Sequence, residues 1–275
     1  MQKQTNFLVG FVVVAGVVLA GYLWWHPYGQ SRLAPDVALT TPVVSVPPPA
    51  AASATRSTDS PPLAIQHPLE EVPIGPALPE LGLSDNVLSQ AFIGLFGSKV
   101  WQQFFVDTHI IRRIVATVDN LPREQAPVTM WPLRPAGSWL VTEVSNGVLI
   151  LSPANAHRYA GYAKLVQTVN VKLLAGGYRH FYPLFQQAYV ELGYPKGYFN
   201  DRLIVAIDNL LATPEPSAAL PLVTRNVIYG FADADLQARS SGQKIMLRIG
   251  VDNERIVKAK LREFRYEVAR HTPAG

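Results

Sequence analysis

A mainly α-helical domain carried on a membrane anchor and a proline-rich tether is the architecture this sequence predicts, and three observations predict it. Phe7 to Trp25 is a run of nineteen uncharged, largely apolar residues, long enough to cross the hydrocarbon core of a bilayer as one helix. Residues 26–80 are dominated by Pro, Ala, Ser, Thr and Val and hold no helical or strand period. From Leu81 to Arg270 apolar residues recur mostly at helical spacing between capping and turn residues, with one short change to a strand period.

Only residues 1–6 precede the apolar run, and Lys3 with the α-amino group supplies their positive charge, so the amino end is expected in the cytoplasm and the rest exported. Tyr22, Trp24, Trp25 and Tyr28 cluster at the far end, where amphipathic rings favour the headgroup layer and a retained anchor. A cleaved signal peptide, with Val18 and Ala20 as its small-residue site, is the competing reading; one lysine is a weak positive region for it. Gly10, Gly16 and Gly21 among β-branched valines argue against a buried soluble helix. The chain has no cysteine, which removes lipoprotein acylation, disulfides, thiol catalysis and thiolate metal sites together.

Residues 26–80, with Pro47-Pro48-Pro49 and Pro61-Pro62, are expected to be a disordered tether of polyproline character, because such a composition cannot bury enough apolar surface to offset its ordering entropy. At about 3.1 Å per residue, some fifty residues reach on the order of 150 Å when extended. A plain spacer is the simplest role; a proline-recognition ligand is the alternative. Residues 81–270 are long enough for one domain with its own core, and 271–275 read as a flexible tail. The net charge of +4 divides into −2 over residues 1–80 and +6 from Leu81 onward. Much of the basic excess lies at Arg255, Lys258, Lys260, Arg262, Arg265 and Arg270, interleaved with Glu254, Glu263 and Glu267, the pattern of a solvated, salt-bridged helix face. Contact with an anionic envelope surface is the second reading, and export disfavours nucleic acid.

Within the domain, Ser84 is expected to cap a helix over 85–96, broken at Gly97, with further helices over 99–105 and 108–120. Alternation over 139–144, Asn146-Gly147, and Val148 to Leu151 predict one β-hairpin. Ser152-Pro153 opens a helix to about Thr168, and Asn170 caps another that carries Pro183 and stops at Gly193. Asn200 is expected to start a helix to about Ala212, followed by an extended piece near Leu222 to Tyr229 and helices over 234–240, 242–249 and 253–270. At an offset of 89, Leu95, Phe96, Arg113, Asp119, Asn120 and Leu121 echo Leu184, Phe185, Arg202, Asp208, Asn209 and Leu210, which raises a duplicated helical unit alongside chance identity.

Chemistry is harder to find. Ser241 and Lys244 have the spacing of a Ser–Lys nucleophile pair and Ser84-Asp85-Asn86 adds a second signature of penicillin-interacting enzymes, but the order is reversed and Lys-Thr-Gly is missing. Ser241 as an N-cap with a solvated Lys244 is the better account. His26, His67, His109, His157, His180 and His271 include no pair at ligand spacing, so no metal and no cofactor is expected, and no catalytic residue is assigned. The densest feature is the aromatic and polar stretch 182–203. Tyr182, Tyr189, Glu191, Tyr194, Tyr198, Asn200, Asp201 and Arg202 are its candidate ligand or partner surface, weighed against ordinary core packing.

The stretches RRIVATVDNLPR (112–123), LSPANAHRY (151–159), 182–203, LLATPEP (210–216) and 231–247 resemble the proteobacterial domain-of-unknown-function family three-zero-one-four. The resemblance covers essentially the whole soluble domain and its preceding anchor. It implies a membrane-anchored envelope protein and brings no catalytic or binding residues with it. The expectation is a single-pass inner-membrane protein whose periplasmic domain binds or scaffolds an envelope protein or peptidoglycan. The alternative is an envelope enzyme cleaving cell-wall glycan through Glu191 and Asp201.

Overall fold

A computed structural model describes residues 64–69, 77–136, 140–225 and 228–269. The expected transmembrane helix 7–25, the amino end 1–6, most of the tether 26–80 and the 271–275 tail lie outside the described residues. No helix among the described residues is long and apolar enough to cross a membrane.

Helices dominate, as the sequence predicts. In chain order they are α1 (Ser84–Phe96), α2 (Ser98–Phe104), α3 (Ile110–Asn120), α4 (Ala154–Gln167), α5 (Val171–Glu191), α6 (Phe199–Leu211), α7 (Ala234–Ala238), α8 (Ser241–Ile249) and α9 (Val251–Ala269). Two antiparallel hairpins are present rather than the one expected: β1 (Thr142–Ser145) with β2 (Val148–Leu151), and β3 (Leu222–Arg225) with β4 (Ile228–Phe231). The first turns through Asn146 and Gly147, both at positive φ (50° and 77°), which is the twist a two-residue hairpin demands. The sequence predicts only an extended piece for the second, because Pro221 interrupts its alternation and no Asn-Gly pair marks a turn. Leu151 N–H donates to the Leu220 carbonyl (2.9 Å), tying the hairpins side by side.

Several helix starts differ from expectation: α1 and α6 begin without a side-chain cap, and a neighbouring serine caps α8. Ser84 is the first helical residue of α1, and its hydroxyl donates to the Leu81 carbonyl at 2.8 Å. Asn200 lies inside α6, fully buried. Ser240 rather than Ser241 caps α8, its Oγ accepting from Gln243 N–H at 3.1 Å. Asn170 does cap α5, accepting from Leu173 N–H at 3.2 Å. Pro183 is accommodated within α5.

The centre of the domain is α8. All nine of its residues are buried, polar ones included. It touches α4, α6 and α9, and α9 in turn packs on α4, α5 and α6 through Val257, Leu261, Phe264 and Val268, each fully buried. Ile245, Met246 and Ile249 belong to the main core, while Leu247 joins Leu140, Leu220, Leu222 and Phe231 in a smaller core under the hairpins. Two glycines make this placement feasible. A Cβ on Gly242 would lie 2.7 Å from Leu210 Cδ2 and 3.0 Å from the Leu121 carbonyl oxygen. Gly250 turns the chain from α8 into α9 at φ 87°, and a Cβ there would sit 2.8 Å from Ala156 Cβ. Leu121 and Leu210 are the two leucines related by the offset of 89, and α3 and α6 begin at Ile110 and Phe199, also 89 apart. The sequence echo thus corresponds to two helices whose last turns meet at one glycine. Its Leu95-Phe96 portion ends α1 whereas Leu184-Phe185 lies within α5, so the match does not extend upstream.

Gly242→Ala and Gly250→Ala are each expected to destabilise the domain by about 1–3 kcal/mol, through overpacking and, at Gly250, an unfavourable φ. Gly147→Ala, also at positive φ but with open space around it, is expected to cost about 1 kcal/mol. Urea unfolding midpoints of the three variants test this order.

Candidate functional site

The final turn of α3 brings a carboxylate, Asp119, to a place where it is 4% exposed. An anion at a helix C-terminus faces the negative end of the helix dipole, and burial worsens that, so it requires cations. Two arginines supply them. Arg202 on α6 donates from Nε to Asp119 Oδ1 (2.9 Å) and from Nη2 to the Asp119 carbonyl. Arg123 donates to Asp119 Oδ2 (2.8 Å) and to the Tyr194 hydroxyl (2.5 Å), and that hydroxyl donates to Asp119 Oδ2 (3.1 Å). Burial pulls the Arg123 pKa down, but Asp119 and Tyr194 outweigh it and hold the guanidinium above its usual value. The Tyr194 ring stacks on Tyr189 with centroids 4.5 Å apart, and burial beside Asp119 pushes the Tyr189 hydroxyl up to about 12.

The rest of the predicted surface closes upon itself. The Tyr182 hydroxyl donates to Gln186 Oε1 (3.0 Å), which also accepts from Phe199 N–H, and Gln186 Nε2 donates to the Gly197 carbonyl. Tyr182 accepts from Asn200 N–H at 3.3 Å, and burial drives its pKa upward. Asn200 Oδ1 accepts from Tyr178, and its Nδ2 donates to the carbonyls of Val268 and His67. Glu191 stands apart: it is a half-exposed partner of Arg112 (2.9 Å), with Gln187 donating to its other oxygen, and the Arg112 guanidinium holds its carboxyl below the usual range. Glu191 and Asp201 therefore engage different partners.

Asp201 contributes something the sequence did not announce. Its carboxylate accepts from two successive backbone amides, Gln66 N–H (3.1 Å) and His67 N–H (2.7 Å). The Tyr198 hydroxyl accepts from Leu69 N–H at 2.8 Å, and Asn200 Nδ2 donates to the His67 carbonyl at 2.8 Å. Residues 64–69, assigned by composition to the tether, thus lie against the start of α6, with Leu69 packed on the core. The four hydrogen bonds contribute about 1–2 kcal/mol each, and ordering six residues costs about 1–2 kcal/mol per residue, so the attachment is close to balance.

Two further readings change. Lys258, assigned to a solvated helix face, is 3% exposed; its Nζ donates to the Thr213 carbonyl (2.6 Å) and Glu215 (3.0 Å) and lies 2.9 Å from Glu254 Oε1, at ion-pair distance but without hydrogen-bond alignment. Burial raises the Glu254 pKa despite that lysine. Other α9 pairs, among them Arg255 with Glu215, Lys260 with Glu263 and Arg265 with Asp208, follow the salt-bridged pattern. Lys244 is also buried rather than solvated. It donates to the Gln237 carbonyl (3.4 Å), while Ser241 Oγ donates to the carbonyls of Asn120 and Leu121, so each spends its donor on backbone rather than on the other. Burial, with Arg248 adding to it, lowers the Lys244 pKa. Among the described residues no three His, Asp or Glu side chains group as a metal site.

A helical domain closed around a buried central helix, with an edge that receives a bent stretch of backbone, is the class these features define. The chain matches the family described as "Protein of unknown function (DUF3014)" over residues 110–265, more than half of its length, and it belongs to that family. The match begins at the first residue of α3 and ends in α9, so it includes Asp119, Arg202 and all of α8 but not α1, α2 or residues 64–69. No curated protein and no solved structure matches the chain.

Asp119→Ala is expected to cost about 3–5 kcal/mol, because it strands two guanidiniums at a partly buried site, whereas Glu191→Gln, at the surface, costs less than about 1 kcal/mol. Denaturant titration at pH 7 distinguishes them. Lys244→Met is expected to stabilise the domain by about 1 kcal/mol at pH 7. A lysine whose folded pKa is depressed burdens the native state below that pKa and ceases to do so as pH rises through it towards the unfolded value of about 10.4. The advantage of the variant should therefore shrink between pH 7 and pH 10.

Proposed function

We propose that this protein is a membrane-anchored binding or scaffolding module of the bacterial cell envelope, with its amino end in the cytoplasm, residues 7–25 in the inner membrane and its helical domain in the periplasm. The anchor and the tether composition support the placement. What carries the module reading is the engagement of the aromatic stretch. The hydroxyls of Tyr182, Tyr194 and Tyr198 and the side chains of Asn200, Asp201 and Arg202 are each committed to an internal bond. A general acid and base need free, convergent carboxyls with separated pKa values. Glu191 is instead neutralised by Arg112 and held ionised, which fits a surface ion pair rather than a proton donor. The alternative of a glycan-cleaving envelope enzyme therefore has weaker support than a partner-binding role.

Fractionation and in-cell crosslinking test the proposal. The full chain is expected in the inner-membrane fraction, and crosslinking from exposed positions of the domain should capture a defined envelope protein or peptidoglycan. Recovery in the cytosol would sink the placement. Release of soluble glycan from peptidoglycan by the purified chain, abolished by Glu191→Gln or Asp201→Asn, would put the enzyme reading in its place.

A further inference from the structure

The contact between residues 64–69 and the start of α6 includes four hydrogen bonds to the segment's backbone. Asp201 takes the two consecutive amides of Gln66 and His67, Asn200 holds the carbonyl between them and the next residue, and Tyr198 takes the amide of Leu69. Pro68, which lacks an N–H, is the one position between His67 and Leu69. Recognition by this set requires a segment bent at its first two positions, so that consecutive amides face one carboxylate, with amides at three of four positions and an apolar residue after the proline. Ile65, ahead of these positions, is half exposed. The receiving groups are not loose surface residues. Asn200 is fully buried and is held by Tyr178 and by the last turn of α9, and Tyr182 accepts from its amide. The receptor face is therefore built into the domain, and the segment it holds adds one apolar contact through Leu69.

We infer that Tyr198, Asn200 and Asp201 form a binding site for a bent, proline-containing peptide, and that its resident ligand is the chain's own segment 66–69, which makes the end of the tether a releasable latch. Two consequences follow, the second of which rests on the anchored-module reading. Any partner peptide of the same chemistry must displace the segment, so tether and partner compete for one face. With the latch closed, the spacer between anchor and domain is residues 26–63, which is 38 residues rather than the 55 of 26–80, and opening it lengthens the reach of the domain. Near-balance between a few backbone hydrogen bonds and the entropy of ordering the segment is what lets such a latch open without unfolding anything beneath it.

The absence of native cysteine allows a direct test on the full chain. Spin labels at Ile65→Cys and Val205→Cys, both exposed positions, report the distance between the segment and α6. A narrow distance population is expected with the latch residues intact, and a broad one should appear in Leu69→Pro, which deletes one donor in the segment together with an apolar side chain that packs on the core, and in Asp201→Ala. A synthetic peptide of residues 64–69 should then bind the Leu69→Pro chain and bind Asp201→Ala at least about tenfold more weakly, since that substitution removes two of the four bonds. A broad distribution with the latch residues intact, a narrow one unchanged by both substitutions, or failure of the peptide to bind the opened face would each overturn the inference. Recovery of the chain away from membranes would remove the anchored reading and leave the distance result as it stands.

Discussion

Everything in this domain is arranged so that one nine-residue helix can be buried on all sides. A helix in that position presents its first N–H groups and its polar side chains to the interior, where each must find a partner. The solution is to set the start of α8 against the end of α3. Ser241 N–H donates to the Arg123 carbonyl (2.7 Å) and Gly242 N–H to the Leu121 carbonyl (3.0 Å), so the free donors at the start of α8 are satisfied by carbonyls at and just beyond the end of α3. Gln243 reaches the Asn209 carbonyl (2.9 Å) and Ser240 the Asn209 side chain (2.7 Å), which extends the same arrangement to α6. The approach is close enough that only glycine fits at position 242. Removing that freedom would separate the main core from the small core under the hairpins, since α8 contributes to both.

The same junction explains the charge at the candidate surface. Once the last turn of α3 is buried against α8, its Asp119 cannot turn to water, and Arg123 and Arg202 become obligatory. Arg202 comes from α6, the second helix that meets α8, so the ion pair and the helix junction reinforce one geometry. Tyr194 and Tyr189 shield the pair and carry its influence to the connection between α5 and α6. From there Tyr198, Asn200 and Asp201 project onto the edge where residues 64–69 lie. A partner engaging that edge would thus sit on a rigid support, because its contact residues are fixed from beneath by Tyr178, by the last turn of α9 and by the Asp119 network.

Elements with strong local signals were legible before folding was considered. The Asn146-Gly147 turn defines its own hairpin, Asn170 caps its own helix, and the apolar spacing in α5 and α9 follows from period alone. Boundaries slipped where two residues competed for one role, as at Ser240 and Ser241, since local chemistry permits either and packing of Gly242 chooses. The second hairpin was hidden for the opposite reason. It is tied to the first hairpin and buries Phe231 and Leu222 in the small core, contacts between residues distant in the chain. For the candidate surface, the aromatic stretch was visible but its use was not: Asp119 is 75 residues from Tyr194 and 83 from Arg202, and Lys258 resembles any lysine on a charged helix until Glu254 is found buried beside it.

The sequence by itself determined that the chain has an apolar run of spanning length, a proline-rich stretch without period and a helix-rich remainder, because each is a property of composition or short-range spacing. Only the tertiary structure decided that α8 is central, that Asp119 rather than Glu191 organises the charges, and that the far end of the proline-rich stretch is held by Asp201. Those outcomes depend on groups more than seventy residues apart being brought within hydrogen-bond distance. Burial then makes each pairing compulsory, and no local pattern encodes which distant partner will answer it.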